Sequence, residues 1–164
     1  LSEATVSSLS LRELSTKEDL EKAYLVLKEL RISLSFQDFI ATYDAARNAD
    51  AYTIVGAMKD KSPIAIMGYR ILFDFVHGKH LYVDDLVTSS SQRSKGIGAE
   101  LLRYAETEAI RLGCHGLRLC TGIANEAGRR FYEREKWEMR SVVYKKKVAE
   151  FTNLSRACEA KSHN

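Results

Sequence analysis

A chain of 164 residues with 45% hydrophobic and 29% charged side chains can bury a core of its own and is too apolar for wholesale disorder. Its net charge of +3 is mild, and no basic stripe with interleaved aromatics is present, which argues against a nucleic-acid partner. No apolar run approaches the roughly 18 residues of a membrane helix and no leader-like segment is visible, so the expectation is a cytoplasmic protein with no membrane partner. Cys114, Cys120 and Cys158 lack metal-ligand spacing and read as reduced thiols, so no metal site is expected.

Along the chain, Ser8 to Glu13 alternates weakly and reads as a first strand. Thr16 reads as a helix N-cap, with Asp19 at the third helical position and Leu20, Ala23, Tyr24, Leu27 and Leu30 as the apolar stripe. Ser35 and Asp38 repeat that signal for a second helix to about Arg47, striped by Phe36, Phe39, Ile40 and Tyr43. Strands follow at Ala51–Met58, Ile64–Phe75 and Leu81–Thr88, separated by turns around Pro63 and at His77-Gly78-Lys79. Ile97 to Leu112 is an amphipathic helix that stops at Gly113. Leu117–Thr121 is a short strand, Asn125 caps a helix to about Lys136, and Met139–Val148 is a last strand. The order is β-α-α-β-β-β-α-β-α-β, an α/β (α+β) mixed twisted sheet with helices on both faces. Residues 1–148 form one expected domain, and 149–164 a polar tail, frayed helix or disordered.

Arg93-Ser94-Lys95-Gly96-Ile97-Gly98 joins a strand to a helix start. The first amides of a helix lack intrahelical partners and carry the positive end of its dipole, so such a loop is an anion site. Glycines at 96 and 98 permit close approach and positive φ, and Arg93 and Lys95 add charge. A tight turn that uses glycine only for its geometry is the competing explanation. The P-loop pattern is absent, and a dinucleotide fingerprint would need a glycine where Leu101 stands.

From about Leu11 to Val148 the chain resembles the GCN5-related N-acetyltransferase (GNAT) superfamily. The likeness rests on Arg93-x-x-Gly96-x-Gly98, on the acid-bearing strand Tyr82-Val83-Asp84-Asp85-Leu86-Val87 before it, and on Asn125 followed by Phe131-Tyr132. It implies acetyl-CoA as cosubstrate and transfer of its acetyl group to an amine. It further implies main-chain pairing of Leu86, Val87 and Thr88 with the pantetheine arm, and amides of Arg93, Ser94, Lys95, Gly96, Ile97, Gly98 and Ala99 around the pyrophosphate. Asn125 would hydrogen-bond the pantetheine or the acceptor side, and Tyr132 would protonate the leaving thiolate. Ser94 and Lys136 stand where the family commonly has glycine. A left-handed lysine at 136 would cost roughly 1–2 kcal/mol, so the expectation is a helix end built differently.

The chemistry needs a neutral amine. An alkyl ammonium with pKa near ~10.4 is deprotonated in about one molecule in 2,500 at pH 7, a penalty of roughly 4.6 kcal/mol. Asp84 and Asp85 are the candidate bases, and plain strand alternation sends them to opposite faces, Asp84 with Tyr82, Leu86 and Thr88 and Asp85 with Leu81, Val83 and Val87. Family likeness favours Asp84; Asp85 and water-mediated deprotonation stay open. Arg129 and Arg130 are either solvated or aimed at the cofactor's 3′-phosphate. A small-molecule amine is the leading acceptor. Protein-lysine or N-terminal acetylation, and a non-catalytic acyl-CoA-sensing domain, are the alternatives. By analogy alone, a homodimer would use the last strand or the tail.

Overall fold

The computed structural model describes residues 9–146. Its elements are β1 (Ser10–Glu13), α1 (Lys17–Leu27), α2 (Phe36–Asp50), β2 (Thr53–Lys59), β3 (Ser62–Asp74), β4 (Gly78–Thr88), a one-turn 3-10 helix (Ser90–Gln92), α3 (Ile97–Arg111), β5 (Gly116–Leu119) and α4 (Glu126–Arg134). Strands β1 to β4 pair antiparallel in chain order and β5 adds to β4 in parallel, which gives the expected mixed sheet.

Local chemistry sets the helix starts. The Thr16 hydroxyl accepts from the Asp19 amide at 3.2 Å and the Asp19 carboxylate accepts from the Thr16 amide at 3.4 Å, a reciprocal capping box. Arg12 of β1 forks onto the same carboxylate at 2.6 and 3.1 Å, tying α1 to the sheet and holding Asp19 far below the usual carboxylate range. Ser35 caps α2 through the Asp38 amide at 3.0 Å. That helix runs three residues past the expected end and stops where Ala51 turns left-handed at φ 52°, so β2 starts at Thr53.

The sheet has two apolar faces. Leu14, Ile54, Met58, Ile66 and Val87 pack under α1 and α2. Val55, Ala57, Met67, Leu81 and Val83 pack under α3 with its Ile97, Leu101, Ala105 and Ala109. Each fully buried Leu or Ile among these contributes about 1.5–3 kcal/mol.

One irregularity changes the face assignment along β4. In the β3–β4 ladder Tyr69 pairs with Val83 and Gly68 with Asp85, so Asp84 is an extra residue, a β-bulge. Leu81 and Val83 belong to the α3 face; past the bulge Leu86 packs on that face and Val87 on the other. Plain alternation would have put Val87 with Leu81 and Val83. The bulge shifts the parity by one, and the expectation that Asp84 and Asp85 face opposite ways is overturned.

The last strand is a second correction. Residues 137–146 carry no regular structure. Met139, Val142, Val143 and Tyr144 are 66–94% exposed. An alternating sequence becomes a strand only where a neighbour supplies its hydrogen bonds, and four-residue β5 pairs with β4 alone among the described residues. Residues 147–148 and the tail from Ala149, with the interface expected there, lie outside the described residues. Among the described residues no helix is long and apolar enough to cross a membrane.

Candidate functional site

On the α1–α2 side of the sheet lies a cavity of about 830 Å³, with Asp84 and Asp85 both in its wall beside Leu34, Phe39, Tyr43 and Tyr52. Their side chains are 17% and 16% exposed. Nearly buried carboxylates need partners, and the two obtain different ones. Arg70 of β3 grips both oxygens of Asp84, Nε at 2.9 Å and Nη2 at 2.5 Å, while its Nη1 reaches Asp50 at the end of α2 at 2.8 Å. That bidentate fork is fixed from two sides. Asp85 is held more loosely. Its Oδ1 accepts from Arg31 Nε at 3.2 Å and Nη2 at 2.8 Å, and its Oδ2 accepts from the Tyr52 hydroxyl at 3.2 Å. Arg31 stands on the loop between α1 and α2 with its side chain 52% exposed.

On the far side of the same strand, β4 and β5 part company. Their parallel pairing covers His80–Val83 against Gly116–Leu119 and ends there. The outer edge of residues 84–88 has no strand partner among the described residues, and Leu86, Val87 and Thr88 lie on it. Beyond Thr88 the chain makes the 3-10 turn, and α3 begins with Gly96 as its N-cap at φ 76°. Nothing lies within 4 Å of where a Gly96 side chain would start, so conformation is its reason for being glycine. At Gly98 a Cβ would come within 3.2 Å of Phe131, so a small residue there also makes room for α4. Ser94 adopts φ 62° in the left-handed region. Arg93 and Lys95 are exposed; the first reaches the Thr88 carbonyl at 3.4 Å and the second Gln92 at 2.9 Å. Glu100 is the first residue of α3 to bond back, to the Gly96 carbonyl at 3.1 Å. The amides of Ile97, Gly98 and Ala99 before it have no intrahelical acceptor.

Helix α4 brings the third group. Asn125 is its cap: the side-chain oxygen accepts from the Gly128 amide at 3.0 Å and Nδ2 donates to the Thr121 hydroxyl at 3.0 Å. A Cβ on Gly128 would collide with that cap. Tyr132 packs edge-on to Phe131 at 5.1 Å and lies 6.2 Å from Trp137. Burial raises the Tyr132 pKa, which keeps the phenol protonated at neutral pH. Lys136 takes φ 64°, so the expectation of a differently built helix end is overturned: the lysine itself adopts the left-handed turn. Arg130 pairs with Glu126 at 3.4 Å, whereas the buried Nε of Arg129 has no protein partner among the described residues.

Thus Asp84 and Asp85 come together on one face, Leu86 to Ala99 form a continuous open edge and loop, and Asn125 supports the helix that carries Tyr132. Sequence reasoning missed Arg70, Asp50, Arg31, Tyr52 and Gly68. A signal existed for Arg70, a charge in the middle of an apolar strand whose hairpin partner carries two acids. Arg31 and Tyr52 reach the site only through tertiary packing. No three His, Cys, Asp or Glu side chains among the described residues are placed to hold a metal ion.

The family model for the acetyltransferase (GNAT) family matches residues 15–136. The N-acetyltransferase YhdJ of Bacillus subtilis is 27% identical over 141 residues, covering 85% of this chain and 99% of that protein. The aminoalkylphosphonate N-acetyltransferase of Salmonella typhimurium is 27% identical over 123 residues, 74% of this chain and 80% of that one. Among solved structures, the aminoglycoside N-acetyltransferase AAC(6')-Iy in complex with CoA superposes with a TM-score of 0.76 at 20% identity, over 88% of this chain and 99% of that one. A transcriptional regulator from Bacillus halodurans also reaches a TM-score of 0.76 at 19% identity, over 86% of this chain and all (100%) of that one.

Proposed function

The chain belongs to the acetyltransferase (GNAT) family and is an acetyltransferase, and we propose that it moves the acetyl group of acetyl-CoA to the amine of a small molecule held against Asp84 and Asp85. The parting of β4 from β5 after Val83 carries this reading, because it opens a main-chain edge, without a strand partner among the described residues, directly behind the two carboxylates. Leu86, Val87 and Thr88 offer that edge to the pantetheine arm as a further strand. The α3 amides through Ala99, flanked by Arg93 and Lys95, take the pyrophosphate. A structural neighbour named as an aminoglycoside N-acetyltransferase and solved with CoA, and a relative named as an aminoalkylphosphonate N-acetyltransferase, support a small amine acceptor.

Bound acetyl-CoA supplies an activated acetyl thioester; the chain supplies proton management. Asp84 is spent on Arg70, which Asp50 braces, so the proton-accepting role falls to Asp85. Its cationic partner, Arg31, is half-exposed and swings away more easily than Arg70. As the nitrogen bonds to the acetyl carbon and the carbon–sulfur bond breaks, the nitrogen becomes far more acidic than a free ammonium and gives its proton to Asp85 Oδ1. Tyr132 holds a phenolic proton for the departing sulfur. Asn125 contributes by capping α4 and so fixing Tyr132.

The test is coenzyme A release, followed as free thiol, over aminoalkylphosphonates, aminoglycosides, polyamines, amino acids and lysine peptides. Turnover with a small amine supports the reading. Turnover with peptides alone moves the acceptor to protein amines, and tight acetyl-CoA binding with no release by any amine replaces catalysis with sensing.

A further inference from the structure

Gly68 faces Asp85 across the β3–β4 ladder at the bulge. Its backbone does not demand glycine, since its φ lies outside the positive region. Space does: a Cβ on Gly68 would land on the hydroxyl of Tyr52. The Tyr52 ring crosses β3 at this one bare position and donates to Asp85 Oδ2 at 3.2 Å. The ring is braced edge-on by Tyr43 at 6.3 Å, and Tyr43 in turn stacks on Phe39 at 6.4 Å. Burial, then the two nearby carboxylates, push the Tyr52 pKa well above its ordinary value, so the phenol stays a donor throughout the working pH range. A buried tyrosine hydroxyl needs a hydrogen-bond partner, and the one it takes here is the Asp85 carboxylate.

We infer that Tyr52 is a positioning residue for proton transfer, and that Gly68 is the gap that admits it. By occupying Oδ2, the Tyr52 hydroxyl fixes the plane of the Asp85 carboxylate and leaves Oδ1 as the atom that meets the amine. The inference rests on the proposed role of Asp85. The charged groups around that carboxylate are Arg31 from the α1–α2 loop, Asp84 beside it on β4, Arg70 from β3 and, beyond Arg70, Asp50 at the end of α2. Only Tyr52 among the described residues bonds Oδ2.

Two measurements test it. The first is kcat and KM for the amine in Tyr52→Phe, Gly68→Ala, the pair combined, and Tyr52→Phe in an Asp85→Asn background. Loss of a hydrogen bond to a charged group predicts a kcat lowered about 10-fold in each single variant, with KM nearly unchanged. The combined variant falls no further than the worse single one, and Tyr52→Phe changes kcat less than about twofold once Asp85 is Asn. The second, independent of turnover, is the NMR chemical shift of the Asp85 carboxyl carbon at neutral pH. It moves in Tyr52→Phe and in Gly68→Ala, because Oδ2 has lost its hydrogen-bond donor. Tyr52→Phe keeps the ring, so it reports even where Gly68→Ala folds poorly. An unmoved signal in Tyr52→Phe, or an equal kcat loss with and without Asp85, overturns the inference. A moved signal in a protein that acetylates no amine upholds the positioning and instead removes the proposed catalysis.

Discussion

The two sides of β4 solve opposite problems. On the α1–α2 side, Asp84 and Asp85 are nearly buried, and every oxygen is answered by Arg70, Arg31 or Tyr52. On the β5 side, the main-chain edge from 84 to 88 and the first amides of α3 have no strand or helix partners among the described residues. The proposed acceptor side is thus pre-organised by interlocking charge, while the proposed cofactor side is a main-chain edge with no strand partner among the described residues. A buried charge pair is costly to disturb, whereas an open edge gains its partners when the ligand arrives. Substitutions on the acceptor side should therefore act on the chemical step, and those on the cofactor side on affinity for acetyl-CoA.

Tyr132 breaks that simple division if it donates the proton, because it sits with the cofactor half yet acts on kcat. Tyr132→Phe is expected to lower kcat about 10²-fold, the low end for a general acid since a thiolate is a good leaving group, with KM for acetyl-CoA little changed. Steady-state kinetics decides it. Gly96→Ala sharpens the contrast: a side chain forced to φ 76° costs roughly 1–2 kcal/mol, so KM for acetyl-CoA rises about 10-fold at near-constant kcat.

Two smaller effects concern the scaffold beneath each side. Asp19 anchors α1, the acceptor wall, through Arg12 and Thr16. Its pKa is lowered on folding, so the stability it contributes is present above the ordinary carboxylate range near pH ~4 and is lost as pH falls below it. Asp19→Asn should cost about 1–2 kcal/mol at pH 7 in urea unfolding and flatten the acid limb of stability against pH. Lys136 ends α4, on the cofactor side, in a conformation glycine adopts without strain. Lys136→Gly should raise stability by about 1 kcal/mol, read as an increase in Tm.

Local rules were enough where a feature is local. Thr16 with Asp19 announced the start of α1 and the strand-to-helix loop at Gly96 the start of α3, whereas Lys136 takes the left-handed conformation that its cost argued against. They failed where two distant segments decide. Nothing in Tyr82-Val83-Asp84-Asp85 marks a bulge; it arises in the pairing with β3, and it moved both acids to one face. Arg31 and Tyr52 are silent as sequence because one belongs to a helix connection and the other precedes a strand. The run from Met139 alternates like a strand yet lacks a partner strand among the described residues.

The central claim is that the bulge assigns the two acids different work, Asp84 to hold Arg70 and Asp85 to take the proton. The direct measurement is kcat/KM for coenzyme A release in Asp84→Asn and Asp85→Asn, alongside their unfolding free energies. The account predicts that Asp85→Asn lowers kcat/KM about 10³-fold at nearly native stability, while Asp84→Asn loses stability first and activity only about 10-fold. The reverse ranking, with Asp84→Asn inactive but stable and Asp85→Asn active, would contradict it.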